Sequence, residues 1–240
     1  MLLQVLCTLL IAHTQIVGVH QVSSAPEIRN RLFDNLKKAQ TLSFKAHFLV
    51  NGARKLNQEC KLLRNEKGVV LIWVKETPSD GSEPSERLDD GTFQYHYSGR
   101  IQNHGFPRKE GFLFHGGIGA NPLVMFDKSS PIFDPDPKLD ADQAPYELDA
   151  VGSHEIKPEK SGDFNGASYC LQFVLKPQAA SDVGNKPFVR IYLTVDAKQI
   201  GVKALERSDE PMPNFLSRVL VFDSFILNDP NVKPEMFVAR

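Results

Sequence analysis

Hydrophobic and polar positions alternate with a period of two over most of this chain, and one stretch near its start keeps a helical period instead. That stretch is Pro26 to Leu42. Ile28, Leu32, Phe33, Leu36, Ala39 and Leu42 form one stripe, with Arg29, Arg31, Asp34, Lys37 and Lys38 opposite. Ser24 is placed to cap this helix, Pro26 suits its first turn, and the lysines suit the negative end of its dipole.

Almost everything after it reads as strands, apart from the irregular middle Gly105 to Ala144, which holds a candidate short helix at Asn121 to Asp127. Ser43 to Asn51 puts Phe44, Ala46, Phe48 and Val50 on one face and Lys45 and His47 on the other, and Asn51-Gly52 is a hairpin signal. Glu59 to Asn65 and Val69 to Glu76 follow as a hairpin around Gly68, and the continuous apolar run from Val69 to Val74 predicts a strand covered on both faces. Thr77 to Glu86 reads as a polar loop and Asp89-Asp90-Gly91 as a turn into the aromatic strand Thr92 to Tyr97, with Arg100 to His104 pairing back. Strands resume at Tyr146 to Ile156, Ala167 to Lys176, Pro187 to Asp196, Gln199 to Arg207 and Leu216 to Asn228. Short, turn-rich connections between successive runs predict meandering antiparallel pairing in one domain.

Composition narrows the function. A net charge of −1 supplies no field for nucleic acid, so no nucleic-acid partner is expected. Sixteen Phe against one Trp and five Tyr favour a dry interior or a dry cavity, since Phe has no polar handle. Leu2 to Ala12 has the length of a signal-peptide core and is too short to span a bilayer. Val22 and Ser24 suit the cleavage site, although no Lys or Arg precedes Arg29. Residues 1–24 are therefore read as a signal peptide and 25–240 as the exported domain. Two cysteines then remain, Cys60 and Cys170, which are either one disulfide or two buried thiols.

The motifs that would make an enzyme are missing. His115-Gly116-Gly117-Ile118-Gly119 lacks the G-x-S-x-G elbow of a hydrolase and the spacing of a dinucleotide loop, so it reads as a hinge. Asp134, Asp136, Asp140 and Asp142 fail the calcium-loop pattern, with Leu139 and Pro145 where Gly and Glu belong. The seven histidines form no zinc spacing. No catalytic residue, metal or cofactor is assigned. The positive signal is apolar: one strand phase is taken to supply Phe48, Leu62, Trp73, Phe93, Tyr95, Phe173, Ile191, Leu193 and Phe222 as the lining of a cavity. A flap hinged at Gly116, Gly117 and Gly119 would bring Leu123, Met125 and Phe126 over it.

The order of these features resembles the LolA-like family of periplasmic lipoprotein-sorting carriers. The residues that carry the resemblance are the helix running into AQTLSFKAHFLV (39–50), the Asp-Gly strand entry LDDGTFQYHY (88–97), RIYLTVDAKQIGVKALERSD (190–209) and VLVFDSFILNDPNVKPEMF (219–237). The resemblance implies an α+β fold: an antiparallel half-barrel, a curved β-sheet with an N-terminal helix and a short lid segment over its concave face. It implies a periplasmic monomer holding lipid or lipoprotein acyl chains. The alternative on the same fold is a non-enzymatic envelope sensor or protein-interaction module with an envelope protein as partner.

Overall fold

The structure, a computed structural model, describes residues 24–98, 101–102, 105–107, 146–176, 187–196, 199–211 and 218–239. Helix α1 spans Ala25–Lys38 and buries Ile28, Leu32, Phe33 and Leu36 of the expected stripe. The Ser24 N–H donates to the Glu27 carboxylate at 2.8 Å, and Lys37 and Lys38 occupy the last turn. The helix stops before Leu42 because Ala39 is extended (φ −64°, ψ 133°). Leu42 keeps its burial by entering the first strand.

Twelve strands follow among the described residues: β1 (Thr41–Val50), β2 (Ala53–Arg64), β3 (Val70–Pro78), β4 (Ser85–Asp89), β5 (Phe93–Ser98), β6 (Ile101–Gln102), β7 (Phe106–Pro107), β8 (Tyr146–Glu155), β9 (Tyr169–Leu175), β10 (Phe188–Val195), β11 (Ile200–Ser208) and β12 (Arg218–Leu227). They form one sheet in the order β6-β5-β4-β3-β2-β1-β12-β11-β10-β9-β8, with β7 also beside β5. Every pairing is antiparallel. Two meanders, β1 to β6 and β8 to β12, are thus zipped together where β1 meets β12. The path keeps two ends among the described residues, so the sheet is open. This is the α+β half-barrel that the sequence implied.

Local chemistry sets the turns. Asn51 and Gly52 both adopt positive φ (51° and 74°), the twist a two-residue hairpin needs. The expected loop Thr77 to Glu86 is shorter than read. β3 continues to Pro78, and β4 begins at Ser85 with Lys75 facing Glu86 and Glu76 facing Ser85. Strand β8 bulges between Asp149 and His154. A Cβ at Gly152 would stand 2.1 Å from Gln172 Nε2, so a larger residue there must displace the Gln172 side chain.

Burial divides into three clusters. The largest joins α1 to one face of the sheet from β8 through β12 and β1 to β3. On the other face, Ile156, Cys170, Tyr192, Ala204 and Val221 pack under the 3-10 turn Pro158–Phe164, whose Phe164 ring stacks on Tyr192 at 5.4 Å. Also on that face, Leu88, Val232 and Phe237 pack with Trp73, Tyr95 and Tyr97. No helix among the described residues is long and apolar enough to cross a membrane.

Candidate functional site

Residues directly paired across an antiparallel sheet share a face, so the register assigns side chains to sides. On the side of α1, one row reads Leu171, Ile191, Leu205, Leu220, Phe48 and Leu56, apolar over six strands. The next rows begin apolar and end polar. Phe225, Phe44, Cys60 and Val74 lead to Arg87 and His96, and Leu227, Leu42, Leu62 and Ile72 lead to Asp89 and Gln94. Phe44, Phe222 and Phe225 form a three-ring cluster at centroid distances of 5.2 to 6.4 Å.

Side chains of the polar half bond to one another. Glu76 accepts from Arg87 Nη2 at 2.5 Å and from Gln58 Nε2 at 3.1 Å. Asp89, fully buried, accepts from the Gly91 N–H at 2.8 Å and from Gln94 Nε2 at 3.0 Å. Cys60 lies at the junction, where burial first and the Glu76 carboxylate second push its thiol well above its ordinary value. A neutral thiol is a poor nucleophile and a poor metal ligand, so Cys60 belongs to the apolar surface. Among the described residues no group of three or more His, Cys, Asp or Glu is arranged to hold a metal ion.

Helix α1 is buried along its length, from Ala25 to Leu36, and polar bonds tie it and the residues after it to the sheet. Beyond its C-terminus, the Gln40 N–H donates to Asn228 Oδ1 at 2.9 Å, and the Arg64 N–H donates to the Gln40 carbonyl at 2.8 Å. Elsewhere Arg31 donates to the Asp196 carbonyl at 3.0 Å. Fourteen residues make a cylinder about 21 Å long and about 10 Å wide. The apolar face covers eight strands, from β8 through β12 to β3, or about 34 Å at the usual strand spacing. Helix α1 therefore overlies only part of that face.

The register splits the residues assigned to the cavity lining. Phe48, Leu62, Phe173, Ile191, Leu193 and Phe222 lie on the helix side in one cluster. Trp73, Phe93 and Tyr95 do not. Trp73 pairs with Lys61 and Leu88, and Leu88 pairs with Tyr95, which puts all three on the outer side together with Phe93, two residues along β5. The Trp73 indole N–H donates there to Glu86 at 2.5 Å, and Phe93 is 39% exposed. The phase was lost because Val69 to Val74 has no alternation; the partner Ile72↔Leu62, counted from the Asn65–Gly68 turn, restores it. Of the two readings of the cysteine pair, the structure shows two buried thiols. Cys60 and Cys170 are free, Cys60 in the helix-side cluster and Cys170 in the cluster on the opposite face, with its thiol pushed up to about 12 by burial. Gly116, Gly117, Gly119, Leu123, Met125 and Phe126 lie outside the described residues, as does all but Ser24 of the expected signal segment.

One polar constellation escaped the sequence entirely. On the outer side, fully buried Arg190 donates to Gln172 Oε1 at 2.6 Å, to Glu206 Oε2 at 3.3 Å and to the Glu210 carbonyl at 2.6 Å. Tyr192 donates its hydroxyl to Glu206, and Gln172 donates on to Asp149. Burial holds the Tyr192 hydroxyl far above its ordinary value, while the Gly152 N–H and Gln172 hold Asp149 below the usual carboxylate range. The hint was Arg190 and Glu206 at outward phases of otherwise apolar strands.

The fold and this face together define an open half-barrel with an amphipathic helix across its apolar side. Solved structures similar to it include MucB in complex with MucA(peri), at 14% identity and a TM-score of 0.42 over 90% of this chain and 60% of that one. The chain thus spans less than two thirds of that structure's length. LprF from Mycobacterium bovis matches at 10% identity and 0.42 over 88% and 98% of the two chains. A DUF1329 family protein from Desulfovibrio piger matches at 11% and 0.38 over 89% and 95%. No family model and no curated protein sequence matches the chain.

Proposed function

We propose that the helix-side face holds the acyl chains of a lipid or lipoprotein, and that the protein is an exported, periplasmic carrier with its signal segment removed after Ser24. The observation that supports this most is the apolar row unbroken over six strands beneath an amphipathic helix that overlies only part of it. Movement of α1 exchanges helix side chains for acyl chain on the same surface. At roughly 25 cal/mol per Å², a few hundred Å² of buried chain gives micromolar-range affinity after the entropy of ordering is subtracted. Phe48, Leu62, Phe173, Ile191, Leu193 and Phe222 are the proposed lining, and the flap hinged at Gly116, Gly117 and Gly119 is proposed to close over it. No residue is assigned a catalytic role.

Titration with a fluorescent fatty acid tests this reading. Phe225 is only partly buried against the core, so Phe225→Glu is expected to fold and to weaken uptake at least tenfold, while Trp73→Phe on the outer side leaves it unchanged. Equal uptake by a folded Phe225→Glu variant would sink the assignment of this face.

A further inference from the structure

Two covered patches divide the outer side of the sheet. The 3-10 turn Pro158–Phe164 packs over one, on β9 to β12, and the segment after β12 packs over the other, on β2 to β5. Between them the outward row Lys45, Glu59 and Lys75 runs across β1, β2 and β3, and the next outward row is His47, Asn57 and Thr77. The pairing of β1 with β12 shifts at Lys45 and Ala46, which skips Asp223 in the register and sets it beside His47. These rows and the bulge line a cavity of about 270 Å³.

Its lining carries three cations, Lys45, Arg54 and Lys75, against two carboxylates, Glu59 and Asp223. Both carboxylates are engaged by neighbours. Glu59 lies 3.6 Å from the Lys61 ammonium, and Asp223 lies 3.2 Å from the His47 ring. Among the described residues neither the Lys45 nor the Lys75 ammonium has a hydrogen-bond or ion-pair partner, although Glu59 stands between them in the register. Arg54 gives its Nε–H to Asn57 at 2.6 Å, and its terminal N–H groups make no bond among the described residues. Neighbouring strands are about 4.8 Å apart, so the two lysines are rooted about 10 Å apart. Cations held around one space repel one another, and an anion placed among them relieves that repulsion.

We propose that this cavity binds a phosphate ester of a small hydroxylated group, with Lys45 and Lys75 as charges on either side and the Arg54 fork on two of its oxygens. A phosphate suits three cations better than a carboxylate does, because it offers more acceptor oxygens and carries up to two charges. A guanidinium matches that geometry in a way an ammonium does not. The Asn57 amide and the Thr77 hydroxyl line the same cavity and are the groups for the ligand's hydroxyls. Sites for drug-sized molecules run from about 300 to 1,000 Å³, so this smaller cavity fits a glycerol or sugar phosphate. Free phosphate esters and phospholipid headgroups share that chemistry. The cavity is on the opposite side from the helix, and this proposal is independent of acyl-chain binding.

Calorimetric titration of the full chain with glycerol 3-phosphate tests it, beside flotation with vesicles of phosphatidylglycerol or of phosphatidylcholine. The variant is Lys45→Gln combined with Lys75→Gln, both at exposed positions, and Arg54→Gln at a third exposed position gives an independent reading. The expected result is saturable binding of glycerol 3-phosphate that weakens with added salt and falls at least tenfold in either variant. A preference for phosphatidylglycerol vesicles that both variants lose, without binding of glycerol 3-phosphate, assigns the phosphate to a lipid headgroup. No binding in either arm, or binding that the substitutions leave unchanged, overturns the proposal.

Discussion

Arg190 and Glu206 show what a single charge does when no water reaches it. Both side chains are fully buried, and each is the other's main counter-charge. Removing one partner strands the other, so Glu206→Gln is expected to cost about 3 kcal/mol in urea unfolding while leaving acyl-probe affinity unchanged, because the pair is on the outer side. A loss below about 0.5 kcal/mol would show that Gln172 and the Glu210 carbonyl suffice for the guanidinium. At this scale the sequence was legible wherever strands alternate: Phe44, Phe48 and Phe222 fall on the helix side, as their phase requires. It was not legible at Trp73, where six consecutive apolar residues erase the phase and side-chain size is no guide to direction. Nor was it legible at Arg190, whose partners come from β9 and β11, brought together only by pairing.

Elements follow the same logic. Helix α1 and the long strands were readable because their periods and caps agree, whereas β4 was hidden in a polar run. In Ser85 and Glu86 neither face is apolar, and pairing with Lys75 and Glu76 of β3 defines that end of the strand. The segment after β12, which packs Val232 and Phe237 on the outer side, was visible only as a motif, LNDPNVKPEMF, with no sign of where it would lie. Its anchor predicts a pH dependence. The Ser43 hydroxyl first, then the Asn231 N–H, hold the Asp229 carboxyl below its usual range. A depressed folded value means the contribution is fully present above the unfolded value, about 3.9, and is lost as pH falls through the folded one. Asp229→Asn should therefore lower the melting temperature near neutrality, by an amount equivalent to about 1 kcal/mol. The gap to the unmutated chain should close as the pH falls below about 4. A gap independent of pH would mean that the carboxylate's charge does not anchor this segment.

For the whole molecule, the arrangement of the two sides matters more than any one residue. Both meanders contribute to a helix-side face that is apolar from β8 through β12 to β3 and grades into Glu76, Arg87, Asp89 and Gln94 toward β5, while short local elements pack on the outer side. The open antiparallel architecture was legible because period-two runs joined by short turns leave few alternatives to meanders. The extent of the apolar face was only partly legible, since which phase faces the helix is settled by register across β1 and β12. The central claim is that acyl chains occupy this face. Native mass spectrometry of the detergent-free protein, followed by organic extraction, tests it most directly. The account predicts bound phospholipid or acyl-chain mass, released on extraction and taken up again when lipid is offered. A clean unliganded mass that takes up no lipid would contradict it.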